Sequence, residues 1–490
     1  MRVELRTLIG QTAVYGLGGA VGQLIGVVTL PIFARALSTA QYGAYELYTV
    51  GIAMAVVLAD AGLGAAAQRS FYDYRDDDMA ARRSVIATAF LTSIAFAAVL
   101  AAIMVRLREP IANWLNEGEI DGELVALAAL SLPLLAVANL TREVMRLSLQ
   151  PWRYLTSSLI ATVAGAVLGV LAVTAFDAGI EGILVSVVVA TGLASVYGVW
   201  VARTYLRGHY DLARLGVMLR YGLPLVPGLI ALWATAYADR VILAALTSLD
   251  EVGLYAIASR FAAPALLLMT AFVTAYHPFL LSLRVDDPAR ERELRGRIAT
   301  LITIVLLCGG LPFAIFGPEL IDVITPGYDG AAEAISPLVL GIAAYGLASV
   351  LGVPLMIVRR TDVSALMTVI MGVVNVALCF ALIPWLGILG AAIASFGGYA
   401  LLASLFFWWG RRVDDAPYEP VSLVLAFVLA AVAGEAWRID LDSGWLTLLL
   451  KLAVCVGFVL ALRLTRVIRP EDLGAARAIV EARLRPAPGG

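Results

Sequence analysis

Fourteen apolar runs, each about as long as a bilayer's hydrocarbon core is thick, leave this chain few folds to choose from. A spanning helix needs about 20 predominantly apolar residues. Such runs lie near 10–34, 43–67, 84–105, 123–141, 154–176, 179–202, 220–247, 251–283, 297–317, 333–358, 362–384, 386–410, 419–437 and 445–465. In hydrocarbon the backbone N–H and C=O groups must be satisfied within the segment, so each run reads as a helix. The predicted class is therefore all-α, a polytopic membrane protein of about 14 transmembrane helices. Hydrophobic residues make up 61% of the chain, charged residues only 15%, and mean hydropathy is +0.89, so a large soluble core is excluded. Arg2 and Arg6 resemble the start of a secretory signal, but the run they precede continues past Phe33 without a small-residue cleavage pattern. It reads as the first span. The eighth run is too long for one straight crossing and is predicted to tilt, to kink at Pro264 or Pro278, or to extend beyond the bilayer.

Most of the 35 Lys and Arg residues fall in even-numbered connections and at the two termini, whereas odd-numbered connections hold Arg35, Arg106, Arg108 and Arg438. Cationic loops stay in the cytoplasm, so both termini are expected there, in a multi-pass protein of the cell membrane. An internal repeat divides the chain. Ala36-Leu37-Ser38-Thr39 with Gly43-Ala44-Tyr45 recurs as Ala245-Leu246-Thr247-Ser248 with Gly253-Leu254-Tyr255. Tyr15-Gly16-Leu17 recurs as Tyr221-Gly222-Leu223, and Gly179-Ile180-Glu181-Gly182 as Gly387-Ile388-Leu389-Gly390, all at offsets between 206 and 210. That offset holds six spans, an even number, so the halves share one orientation and are related by a pseudo-two-fold axis along the membrane normal. The expected organisation is a six-helix lobe over 1–205, a second over 206–412, an extra helix pair over 413–466 and a cytoplasmic tail over 467–490. Gly18, Gly22 and Gly26 mark a small-residue face on the first span.

Charges inside the spans point to function. An ionisable residue at mid-membrane costs about 2.5–3.5 kcal/mol on insertion scales, so such groups face protein or a wet cavity. Asp239-Arg240 and Arg260 flank the turn at Ser248 to Glu251 at similar depth, roughly 12–14 Å from it at 1.5 Å per residue. Asp239 is thereby able to face Arg260, as a structural ion pair or in a substrate or coupling role. Arg35 lies opposite Glu46 across the equivalent turn. Asp60, deep in the second span, is a candidate proton or cation site or a hydrogen-bonded structural group. Asn139 and Asn375 read as interhelical hydrogen bonds, and Glu435 and Lys451 as near enough in depth to pair. Arg35, Arg240 and Arg260 near one end of a cavity would attract an anion, since guanidinium binds phosphate in a bidentate manner.

Catalysis finds little support. The two histidines, His209 and His277, have no Cys or carboxylate at metal-ligand spacing, and Cys308, Cys379 and Cys455 all lie in apolar runs. No metal, cofactor or nucleic-acid partner is indicated. A membrane glycosyl ligase or polymerase would want a larger outer loop than the one near 106–123, where Trp114 reads as an interfacial anchor.

Asp239-Arg240-Val241-Ile242-Leu243, followed by Gly253-Leu254-Tyr255-Ala256-Ile257-Ala258, resembles the "DRxxL … GxYxxA" segment of polysaccharide biosynthesis flippases. Leu30-Pro31, Arg35-Ala36-Leu37-Ser38 and Tyr42-Gly43-Ala44-Tyr45 resemble their N-terminal "P…R-x-L-S…YGxY" segment. These are the O-antigen repeat-unit translocases of the polysaccharide transporter family, in the superfamily that also holds lipid II flippases and multidrug and toxin extruders. The resemblance implies a monomeric flippase that carries a polyprenyl-linked diphosphate oligosaccharide from the cytoplasmic to the outer leaflet by alternating access. Membrane lipids and glycan-assembly proteins are its implied partners. Arg240 and Arg260 would then hold the diphosphate, with Asp239 orienting one of them. A drug extruder of the same architecture is the alternative, favoured by Asp60.

Overall fold

The computed structural model describes residues 21–74, 78–115, 120–441 and 443–469, and all its regular elements are helical. The repeat copy at Tyr15, Gly18 and most of the predicted tail lie outside the described residues. Among the described residues, twelve helices are long and apolar enough to cross a membrane, and a shorter apolar helix, α1, spans Val21–Ala36. One of the twelve, α17 (Thr361–Val413), runs for 53 residues with a break at Gly387. At 1.5 Å per residue that is about 80 Å, two crossings rather than one. With α17 counted as two, thirteen of the fourteen predicted spans have a counterpart long enough to cross, and α1 is the described part of the first.

The helices cluster into two units, residues 1–256 with 324–326, and residues 257–323 with 327–490. In the first, α2 (Thr39–Asp60), α4 (Met79–Arg106), α7 (Ser131–Leu147) and α9 (Gly179–Leu206) pack in sequence, with α8 (Pro151–Thr174) against α9. Three short helices, α3 (Leu63–Tyr72), α5 (Arg108–Leu115) and α6 (Gly122–Ala129), sit at the ends of these spans. α10 (Leu212–Gly222) packs on α3, and α11 (Val226–Leu246) on α2. α12 (Leu249–Asp286) then runs unbroken for 38 residues into the second unit. That is about 57 Å, more than one straight crossing needs.

The second unit packs α13 (Pro288–Ile315), α15 (Ala332–Leu351), α17, α18 (Pro420–Gly434) and α19 (Gly444–Leu464) round one apolar core. Its short helices are α14 (Gly317–Ile324) and α16 (Val353–Ile357). Lys451, buried on α19, is bonded to Glu319 Oε1 on α14, and Glu435 pairs with Arg438 instead. The expected Glu435–Lys451 pair is therefore replaced: α14 brings Glu319 to Lys451, and Glu435 is taken by Arg438 three residues on. Asn139, read as an interhelical bond, accepts from Arg142 on its own helix. Gly22 faces Thr162 on α8, and among the described residues nothing lies within 4 Å of a Cβ placed on Gly26.

The repeat is visible in the backbone. Gly179 and Gly387, its matched glycines, both take a left-handed turn, with φ of 51° and 52°. Only glycine adopts such a conformation without steric cost, which is why the residue marks the same tight connection in both halves.

Candidate functional site

The two copies of the Leu-Ser and Thr-Ser motif begin two helices in the same way. Ser38 caps α2 by accepting from Gln41 N at 3.2 Å, and Ser248 caps α12 by accepting from Glu251 N at 3.3 Å. Each serine satisfies an N–H that a helix start leaves unpaired. One turn further in, the helices cross at their matched glycines. A Cβ on Gly43 would overlap the Leu249 carbonyl, and one on Gly253 would overlap the carbonyl of Thr39. Glycine is required there by the close approach of two backbones. Thr39 Oγ1 hydrogen-bonds Asp250 at the outermost point of the crossing.

Below it lies a buried charge cluster. Arg240 Nε donates to Glu46 Oε1 at 3.0 Å, and Arg240 Nη1 to Asp239 Oδ1 at 3.2 Å. Tyr255 Oη donates to Asp239 Oδ2 at 2.6 Å. The guanidinium carbon lies 5.4 Å from the Tyr255 ring centroid and 5.8 Å from that of Tyr237, within cation–π range. The side chains of Arg240 and Glu46 are only 13% and 7% exposed, so this pair is shielded from solvent. A turn further along α2, Trp233 Nε1 donates to the Val50 carbonyl at 3.2 Å. Residues 39, 43, 46 and 50 share one face of α2, at spacings of four, three and four. That face is one seam, along which α2 meets α11 and the start of α12.

The seam collects Arg240 and Asp239 of the predicted site. Arg35 is exposed at the end of α1, and Arg260 is exposed on the second unit's part of α12. Asp60 ends α2, about 21 Å along the helix from Glu46. The partnership of Glu46 with Arg240, 194 residues apart, was not foreseen. Nor was Tyr255, although it stands inside the GxY motif. Tyr255→Phe keeps the ring and removes one buried donor, so it should cost about 1–3 kcal/mol. A lowered apparent melting temperature of the purified protein checks this.

Residues 8–283, more than half of the sequence, match the family described as polysaccharide biosynthesis protein. The chain belongs to that family. Among curated relatives, the succinoglycan biosynthesis transport protein ExoT of Rhizobium meliloti (strain 1021) is 26% identical over 287 residues. That match spans 57% of this chain and 54% of ExoT, about half the length of the relative. Among solved structures, the lipid II flippase MurJ in an inward closed conformation has a TM-score of 0.71 at 12% identity, covering 91% of this chain and 97% of MurJ. An inward-facing multidrug resistance MATE family transporter of the MOP superfamily has a TM-score of 0.65 at 15% identity, covering 80% and 94% of the two chains. The family member described here thus has the two-lobed fold of that superfamily.

Proposed function

We propose that this protein is a flippase that moves a polyprenyl-linked diphosphate oligosaccharide from the cytoplasmic to the outer leaflet by alternating access, for cell-surface polysaccharide assembly. It would act as a monomer with both termini in the cytoplasm, and the seam between Gly43 and Gly253 would close its outer end. Arg240 carries the reading. Clamped by Glu46 and Asp239, its guanidinium is engaged by two carboxylates in this conformation, so a phosphate gains it only when α2 withdraws from α11 and takes Glu46 away. Tyr255 and Asp239 would then hold the guanidinium in place for the incoming anion. Arg260 and Arg35 are proposed as further contacts for the diphosphate. The names of the relatives, a succinoglycan transport protein and a lipid II flippase, support the same substrate class.

The test is flipping of a fluorescent polyprenyl diphosphate saccharide in proteoliposomes, read with an impermeant quencher. Arg240→Ala should be slower by about tenfold or more at equal protein incorporation, the loss of one charged hydrogen bond worth about 1.5–3 kcal/mol. Arg260→Ala should also slow transport, and Arg240→Lys should fall between wild type and Arg240→Ala. Equal rates for wild type and Arg240→Ala would remove the reading. Efflux of a lipophilic cationic dye without lipid flipping would move the assignment to a drug extruder.

A further inference from the structure

Two aromatic side chains share the face of α11 that carries Arg240. Trp233, Tyr237 and Arg240 are spaced by four and three residues, so they fall within about 60° of one another round the helix. The Trp233 and Tyr237 ring centroids lie 6.1 Å apart with their planes at 42°, and the guanidinium carbon of Arg240 lies 5.8 Å from the Tyr237 centroid. The three form one row, about 10.5 Å long at 1.5 Å per residue. Both rings are half-buried, so each keeps part of its surface open.

The row is fastened to α2 at its two ends. Arg240 Nε donates to Glu46 Oε1 at 3.0 Å, and Trp233 Nε1 donates to the Val50 carbonyl at 3.2 Å. Val50 lies inside α2, four residues before Met54, so its carbonyl already accepts the ordinary helical N–H. α2 can therefore give up the indole bond without leaving a backbone group unpaired, whereas the indole N–H then needs another acceptor. Parting of α2 from α11 would release both donors in one step. The row would then present a guanidinium at one end, a neutral N–H at the other, and aromatic faces between them.

We propose that the Trp233–Tyr237 row holds the first sugar rings of the carried saccharide, next to the phosphate that Arg240 takes up. This rests on the flippase reading. A sugar ring has an apolar C–H face and a rim of hydroxyls. The first suits a flat aromatic surface, and an oxygen of the second supplies the acceptor that the indole loses when Val50 moves away. A lipophilic cation would also find aromatic faces here, but the guanidinium at the end of the row repels it. An acyl chain would leave the indole N–H unmatched.

Two fluorescent probes in proteoliposomes test the site, a polyprenyl diphosphate bearing a disaccharide and the same lipid without sugar. Trp233→Leu and Tyr237→Leu should each slow the saccharide probe about fivefold or more beyond any slowing of the bare one, at equal protein incorporation. Trp233→Phe keeps a ring and loses the N–H, so its selective loss should be smaller. Arg240→Ala, which removes the phosphate contact, should slow both probes by similar factors. A loss that is the same for both probes in the two leucine variants overturns the sugar assignment, because a row that only packs α11 on α2 cannot tell the probes apart. So does a saccharide rate that neither variant changes. Either result leaves the flippase reading standing. If the wild type moves neither probe, that reading falls and the sugar site falls with it.

Discussion

Joining Thr39 to Asp250 through a disulfide should stop transport, and a reductant should restore it. The side chains of these two residues already hydrogen-bond each other, and the helices behind them are in backbone contact at Gly43 and Gly253. Cysteines at 39 and 250, with Cys308, Cys379 and Cys455 replaced, should therefore oxidise readily. On the proposed cycle the seam along α2 must part for a head group to leave at this end. A covalent tie across it holds the closed form and leaves no open state to populate. The expected result is loss of flipping in oxidised proteoliposomes and recovery on reduction, with equal protein in both. Transport that continues with the bond formed would show that substrate leaves by another route. Enlarging Gly253 to valine acts on the same contact from the opposite direction. It should keep the helices apart, and the 39–250 disulfide should then form slowly.

The spans were legible because hydrocarbon imposes the same demand on every crossing segment, and a run of apolar residues is the direct answer to it. The repeat was legible in its short motifs, and Gly179 and Gly387 explain why so few residues carry it, since only positions that need a left-handed turn or a backbone crossing resist substitution. What could not be read was which face of one helix meets which face of another far along the chain. Glu46 and Arg240 each appeared as a charge in a span, but nothing local joins residues 194 apart. The turn geometry pointed Asp239 at the helix that carries Arg260 but did not single out Tyr255, little more than a turn earlier on it, which donates to Asp239. Glu143, which lines a cavity together with Asp60, was missed for a related reason. The charges after residue 141 read as a loop, yet α7 continues to Leu147 and carries Glu143 to that cavity's wall.

Arg295→Met should be the most destabilising single change in the second unit. Arg295 is fully buried at the start of α13, where it pairs with Glu291 at 2.9 Å and with Asp414 on the link between α17 and α18. Gly296 beside it lets that link close, because a Cβ there would overlap the Pro417 carbonyl. Removing one partner of a buried ion pair leaves the other charge uncompensated and costs about 3–5 kcal/mol. Arg284, at 3.1 Å from Glu291 and 3.9 Å from Asp414, is partly exposed and compensates in part, so the lower end of that range is expected. The apparent melting temperature of the purified protein measures the loss. Replacing the carboxylates as well, with Glu291→Leu and Asp414→Asn, should recover most of it, because the desolvation of the charges disappears together with their attraction. Such recovery would mean that the buried triad contributes little net stability. Its role is then one of specificity: only an arrangement that brings the 414–419 link onto α13 satisfies all three charges, and α18 and α19 are seated by that requirement. If the triple variant is as unstable as Arg295→Met alone, the packing around these side chains, and not their charge, holds the last two helices in place.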